Sequence, residues 1–160
     1  NSYIAELNLF SNFEPGSVLK WRLRAGSITG NAPLFKQLQL GGIGTLRGSP
    51  YKAFIGNQML LSNIELQFGD IIGGGNEWVD FDSFYTTFFL DSGFARQSDI
   101  LLDASSPFED MGGFSFDDLQ HDIGVGVGSD LIRAELAWPL TRTDRFGTTP
   151  VFWIRLNPTF

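Results

Sequence analysis

Seven segments of this chain alternate between apolar and polar residues, and this period-two pattern restricts the fold more than any other feature. The segments are residues 2–12, 17–28, 58–69, 83–95, 119–128, 131–141 and 150–160. Alternate residues of a strand lie on the same face, so each segment predicts a strand with one apolar face. Helical periodicity is almost absent. The sequence therefore predicts an all-β fold.

The polar faces carry more charge than the core-facing side of a soluble sheet allows. In the second segment, Lys20, Arg22 and Arg24 alternate with Leu19 and Trp21. Three cations on one face are typical of a water-filled barrel interior opposite a lipid-facing wall. A length of about 9–11 residues also suits a tilted strand that crosses a hydrocarbon core. We predict an antiparallel up-and-down transmembrane β-barrel, or the C-terminal part of one, with about seven to eight strands in this chain.

The connections between the segments alternate in length, as they do in outer-membrane barrels. Residues 13–16 and 129–130 are short turns, whereas three connections are longer: 29–57, 96–118 and 142–149. The break at residues 70–82 departs from this rule, being long where a short turn is expected.

A count of seven predicted strands is unusual, because bacterial single-chain barrels usually have an even number of strands and at least eight. Three explanations stay open at this point. Upstream sequence is missing, a second copy completes the wall, or residues 33–40 supply an eighth strand. We interpret residues 1–160 as a single membrane barrel domain, either a fragment or a protomer of a larger barrel.

Composition excludes several classes of function. The net charge of −7 disfavours nucleic acid as a partner, and the absence of cysteine excludes thiol catalysis. His121 is the only histidine and has no nucleophile motif beside it. Gly73-Gly74-Gly75 lacks the lysine of a phosphate-binding loop, and the acids at 109–122 match no calcium loop. We predict no enzyme, no catalytic residue, no metal site and no cofactor.

A glycine-rich run lies within the longest connection and carries one arginine. It reads Leu-Gly-Gly-Ile-Gly-Thr-Leu-Arg-Gly-Ser-Pro-Tyr over residues 40–51, with Arg47 near its centre. Glycines permit close approaches that a Cβ forbids, and arginine is a forked donor suited to carboxylates. The run is either an ordinary surface turn with a solvated arginine or a loop that folds into a confined space.

Three features of the sequence resemble the BamA/TamA superfamily of outer-membrane assembly and translocation proteins. The run around Arg47 resembles the signature loop of that family. Residues Phe89-Leu90-Asp91-Ser92-Gly93 are similar to its Phe-x-Asp-x-Gly strand motif. The final alternating strand, with Trp153 and ending in Phe160, is similar to the C-terminal targeting signal of bacterial outer-membrane barrels. One departure is Ser49-Pro50-Tyr51, where the family more often has an aromatic residue directly after the glycine.

The resemblance implies a loop latch inside the barrel. In the family, the loop arginine reaches the interior and pairs with acids on the two following strands, and the matching positions here are Glu65 and Asp91. Gly48 and Gly93 are the matching glycines of the loop and of the strand motif. Both acids also lie on polar faces of their predicted strands, so the residues alone favour the same pairing. The alternative is three separately solvated charges.

The resemblance also implies a location and a role. The location is the bacterial outer membrane, with the lipid bilayer as a partner and Trp138 and Phe160 in the interfacial aromatic girdle. The role is assistance to the insertion or translocation of client outer-membrane proteins, without a cofactor. A passive barrel that anchors another domain or forms a pore is an alternative, since fold does not dictate function. A soluble β-sandwich binding module is a second alternative.

Overall fold

The computed structural model describes residues 1–69, 84–103, 106, 115–129, 132–141 and 149–156. The strands are β1 (Ser2–Glu14), β2 (Ser17–Ile28), β3 (Leu38–Leu40), β4 (Phe54–Gly56), β5 (Gln58–Gly69), β6 (Tyr85–Arg96), β7 (Gln120–Gly128), β8 (Ile132–Pro139) and β9 (Val151–Leu156). Seven of them form one antiparallel sheet in the order β1-β2-β5-β6-β7-β8-β9. This up-and-down order confirms the predicted all-β antiparallel fold. The sheet is not closed within the described residues, because β1 and β9 each pair with one neighbour only.

The predicted strands agree with the seven wall strands to within a few residues at their ends. The last strand is described as far as Leu156; residues 157–160, including Phe160, lie outside the described residues. The suggestion that residues 33–40 supply an eighth wall strand is wrong. Only Leu38–Leu40 is extended there, and it pairs with β4 in a separate two-stranded sheet. The reason is that this connection folds back inside the wall instead of extending it.

The two faces of the wall differ in the way that the alternation predicts. Large apolar side chains on one face are exposed, among them Leu19, Trp21, Ile64, Phe88, Leu90, Ile123, Trp138, Phe152 and Ile154. On the opposite face, the charged residues Glu65, Asp91, Arg133 and Glu135 are at most 4% exposed. A water-soluble sheet has the reverse arrangement, with its apolar residues inside. The wall is therefore apolar outside and charged inside.

A small apolar cluster fills one end of the interior. It consists of Ile28, Leu38, Leu40, Leu46, Met59 and Leu61. Leu38, Leu40 and Leu46 belong to the long connection, which therefore supplies half of the cluster. Gly26 of β2 makes room for it, since a Cβ there would lie 3.0 Å from Leu38 Cδ1. The part of this connection that carries Leu38, Leu40 and Leu46 is thus an internal plug, whereas its 3-10 turn Leu34–Lys36 has no buried residue.

The sheet is strongly curled where the plug enters it. Arg133 of β8 donates to Glu65 of β5 at 2.8 and 2.9 Å, although β6 and β7 separate these strands in the sheet. Neighbouring strands are about 4.8 Å apart, so a flat sheet would keep the two backbones roughly 14 Å apart. Inward glycines of β7 permit the curl: a Cβ on Gly124 would overlap the ring of Phe89 and the carbonyl oxygen of Leu136.

Helical structure among the described residues is limited to three short pieces. They are an α-helix, Ile100–Asp103, and two 3-10 turns, Leu34–Lys36 and Phe116–Asp118. None of these helices has the length and apolar character needed to cross a membrane.

Candidate functional site

The glycine-rich run forms a compact loop that enters the interior of the curled sheet; we call residues 41–53 the inward loop. Gly41 and Gly42 have φ values of +114° and +96°, a region that disfavours residues with a Cβ. The amide of Gly42 donates to the carbonyl oxygens of Leu46 and Ser49, each at 3.0 Å. These internal bonds fix the shape of the loop tip and leave the Arg47 side chain pointing away from it.

Arg47 is 3% exposed and contacts three carboxylates. Its Nε and Nη2 donate to the two oxygens of Asp91 at 2.8 and 2.7 Å, which is the bidentate geometry of an arginine–carboxylate pair. Its Nη1 donates to Glu65 Oε2 at 3.0 Å and to Glu135 Oε1 at 2.7 Å. The structure therefore brings Arg47 together with both acids predicted from the sequence, and with a third acid.

Two further arginines complete an ionic network on the inner face. Arg133 binds both oxygens of Glu65 and reaches Glu135 Oε1 at 2.8 Å. Arg155 reaches Glu135 Oε2 through Nε at 2.9 Å and through Nη2 at 2.7 Å. We call the six residues the charge cluster: Arg47, Glu65, Asp91, Arg133, Glu135 and Arg155. It contains three cations and three anions, so it is formally neutral.

The surroundings of Arg47 hold it in its charged form. Burial by itself lowers the pKa of the guanidinium, but the hydrogen bonds and charges of Asp91, Glu135 and Glu65 outweigh burial and raise that pKa above its usual value. The guanidinium carbon also lies 3.5 Å from the centre of the Phe89 ring. This stacking adds a cation–π contact to the ion pairs. The Arg47 side chain thus holds the inward loop through charge, hydrogen bonds and ring contact, in addition to the bonds that Arg22 and Asn63 donate to the carbonyl oxygens of Gly44 and Thr45.

The two predicted site glycines both lie at close packing contacts. The Gly48 amide donates to Asp122 Oδ2 at 2.8 Å, and a Cβ on Gly48 would lie 2.7 Å from Asp122 Oδ1. A Cβ on Gly93 would lie 2.6 Å from the carbonyl oxygen of Leu60 and 3.2 Å from Leu40 Cδ1. A side chain at Gly48 would therefore collide with Asp122, and one at Gly93 with the neighbouring strand β5 first and with Leu40 of the plug second.

Trp153, predicted as part of the targeting signal, faces inward. Its indole Nε1 donates to the backbone carbonyl oxygen of Arg47 at 2.7 Å. The targeting role of Trp153 and Phe160 stays a prediction, and Phe160 lies outside the described residues. Trp138 lies on the opposite face of the wall and is 37% exposed, as a girdle residue requires, although its depth in a bilayer also stays a prediction.

Comparison with solved structures gives the fold. The crystal structure of BamA from Haemophilus ducreyi, lacking POTRA domains 1–3, matches with a TM-score of 0.64. The chain shares the barrel fold of BamA. The match covers 96% of this chain and 34% of the BamA chain, at 13% sequence identity. No family model and no curated protein matches the sequence. The likeness to BamA is therefore one of fold alone, and this chain spans about a third of the length of that structure.

Four interior residues were not assigned to the site from the sequence. Arg133 and Glu135 alternate on the polar face of β8, Arg155 lies on the polar face of β9, and Asp122 on that of β7. Their inward direction was readable from the period-two pattern. Their convergence around Arg47 could not be read from that pattern, because it depends on how strongly the BamA-like wall is curled.

The acids of the charge cluster are engaged in ion pairs. Among the described residues, no group of three or more histidine or acidic side chains is arranged to hold a metal ion. The three acids of the charge cluster are instead neutralised by guanidinium groups. What the arrangement does physically is anchor a loop inside a barrel wall.

Proposed function

We propose that this chain is part of the wall of a bacterial outer-membrane β-barrel of the BamA/TamA type, whose role is to assist the insertion or translocation of outer-membrane proteins. The observation that carries the proposal is the reversed wall, apolar outside and charged inside, around an inward loop fixed by Arg47. The BamA-like fold supports the same assignment.

The apolar outer face supports a lipid environment. Phe88, Phe152 and Ile154 are 50–60% exposed and belong to a continuous row of apolar side chains across β2 and β5–β9. An apolar surface of this extent in water promotes association, whereas acyl chains cover it without cost. The lipid bilayer is accordingly the first partner that we propose.

The proposed mechanism of assistance is strand templating. Among the described residues, β9 pairs with β8 alone, so its second edge offers backbone N–H and C=O groups without a strand partner. Such an edge can pair with an extended segment of another chain. A client strand would add to this edge while its outer side chains enter the bilayer. The mechanism uses backbone hydrogen bonds only and needs no nucleotide or cofactor.

The orientation of the wall is tested with tryptophans on opposite faces. In single-tryptophan variants reconstituted in vesicles, we expect Trp138 fluorescence to be quenched strongly by lipids brominated in their acyl chains. We expect Trp153 to be quenched much less, because it faces inward and donates to the inward loop. Equal quenching of the two residues contradicts the assignment of faces. A soluble monomer obtained without detergent contradicts the membrane location and favours the β-sandwich alternative.

The assisting role is tested separately from the location. The protein that contains this chain is reconstituted in liposomes, and the insertion of an unfolded outer-membrane barrel is followed by its protection from protease. We expect faster insertion than in liposomes that hold a passive eight-stranded barrel at the same lipid-to-protein ratio. Equal rates in the two preparations indicate an anchor or pore, and they reject the assisting role while leaving the membrane location intact.

A further inference from the structure

We propose that Trp153 is a positioning residue that couples the seating of the inward loop to the order of the edge strand β9. The coupling is a physical property of the wall; its consequence, control of the edge that receives a client strand, rests on the proposed function. Trp153 is assigned no contact with a client. It acts through the loop that carries Arg47.

Within the described residues, the edge strand covers Val151–Leu156 and its only strand partner is β8. Its outward side chains Phe152, Ile154 and Leu156 are 59–79% exposed, so they contribute little packing against the protein. The order of β9 therefore depends on its six-residue ladder to β8 and on the contacts of its inward side chains.

The inward side chains of β9 reach Arg47 by two routes. Trp153 Nε1 donates directly to the Arg47 carbonyl oxygen at 2.7 Å. Arg155 binds Glu135 Oε2, and the other oxygen of Glu135 accepts from Arg47 Nη1 at 2.7 Å. One route ends on the backbone of Arg47 and the other on its guanidinium. A loop that leaves its seat breaks both routes at once.

The position of the inward loop therefore affects how well ordered β9 is. With the loop seated, β9 is held on its inner side as well as along β8, and its outer edge has a fixed register. With the loop unseated, β9 keeps the ladder to β8 and the Arg155–Glu135 pair, which also joins it to β8, but it loses the bond from Trp153 that ties it to the loop. A single substitution of Trp153 can remove the indole hydrogen bond, and with it this part of the coupling, without changing any charge.

The test is hydrogen exchange in the reconstituted protein that contains this chain. Trp153→Phe keeps an aromatic ring and removes the N–H donor. We expect peptides from β9 to exchange about fivefold faster, the effect of losing one ordinary hydrogen bond, while peptides from β6 are unchanged. Trp138→Phe is the matched control, because Trp138 lies on the outer face, and we expect no change in β9. Unchanged exchange in β9, or an equal increase in every strand, overturns the proposal.

A second variant tests whether the effect passes through the loop. Arg47→Lys loosens the seat but keeps the positive charge. If Trp153 acts through the loop, the increase that Trp153→Phe causes in β9 is smaller in the Arg47→Lys background than in the natural chain. Fully additive increases overturn the coupling. The client-insertion assay is independent of this result: its failure rejects the proposed function, whereas additive exchange rejects only the coupling.

Discussion

Replacing Arg47 with alanine is expected to lower the free energy of unfolding by about 3–5 kcal/mol. The substitution leaves Asp91, Glu65 and Glu135 at an inner site where each is at most 4% exposed. Asp91 loses both arms of its bidentate partner, and the cluster changes from neutral to a net charge of −1. Removing one member of a buried ionic group is costly because the remaining charges keep their desolvation penalty. Denaturant unfolding of the reconstituted protein, followed by tryptophan fluorescence, measures the loss.

Arg24→Ala is the matched control for this prediction. Arg24 belongs to the inner face of β2, but its side chain is 34% exposed and its contact with Glu6 is 3.7 Å. An ion pair of this kind contributes about 0–1 kcal/mol. Comparable losses for the two alanine variants would show that Arg47 is no more than a solvated residue. Arg47→Lys is expected to fall between them, because a single ammonium keeps the charge but cannot bind two carboxylate oxygens in parallel.

The wall and its two faces follow from the sequence because they depend on a local rule. Alternation decides which side chains share a face, and it placed Trp21 on the outer face and Arg22 on the inner face without knowledge of any partner. The positions of the strand ends follow from the turns between them. The pairing of Arg47 with Glu65 and Asp91 was predicted from the resemblance to the BamA/TamA superfamily, and the place of both acids on the polar faces of their strands agreed with it.

The remaining half of the charge cluster depends on curvature, which alternation does not contain. Glu65 and Arg133 meet across two intervening strands, and the inner face of β7 between them carries Gly124 and Gly126, where a Cβ would contact Phe89 and Glu135. Small inward residues in β7 were visible in the sequence. The amount of curl that these residues permit could not be seen in the sequence, because curl is a property of the whole sheet.

Trp153 shows a different limit of sequence reasoning. Its place on the inner face of β9 follows from the alternation, yet its partner is the backbone carbonyl of Arg47, and every residue has such a group. When a side chain binds a backbone group, no particular residue type in the sequence identifies its partner. The internal plug has the same origin: residues 33–40 resemble a strand locally, and only the space inside the curled wall decides that Leu38–Leu40 packs there instead.

Glu135 gives the second large effect, and it tests whether charge balance holds the cluster together. All three cluster arginines contact its two oxygens, at 2.7–2.9 Å, and its side chain is 0% exposed. Glu135→Gln keeps the shape and one acceptor oxygen but leaves three guanidinium groups facing two carboxylates. We expect a loss of about 3–5 kcal/mol in the free energy of unfolding, measured as for Arg47→Ala.

Glu6→Gln is the control for this variant, because Glu6 is paired on β1 but 37% exposed, and we expect a loss of at most about 1 kcal/mol there. Adding Arg155→Gln to Glu135→Gln restores equal numbers of cations and anions in the cluster. If charge imbalance causes the loss, the double variant is more stable than Glu135→Gln alone, since Arg155 is the most exposed of the three arginines and its removal desolvates nothing further. If the double variant is instead less stable than either single variant, the cluster is held by its individual hydrogen bonds, and electrical neutrality is not the property that seats the loop.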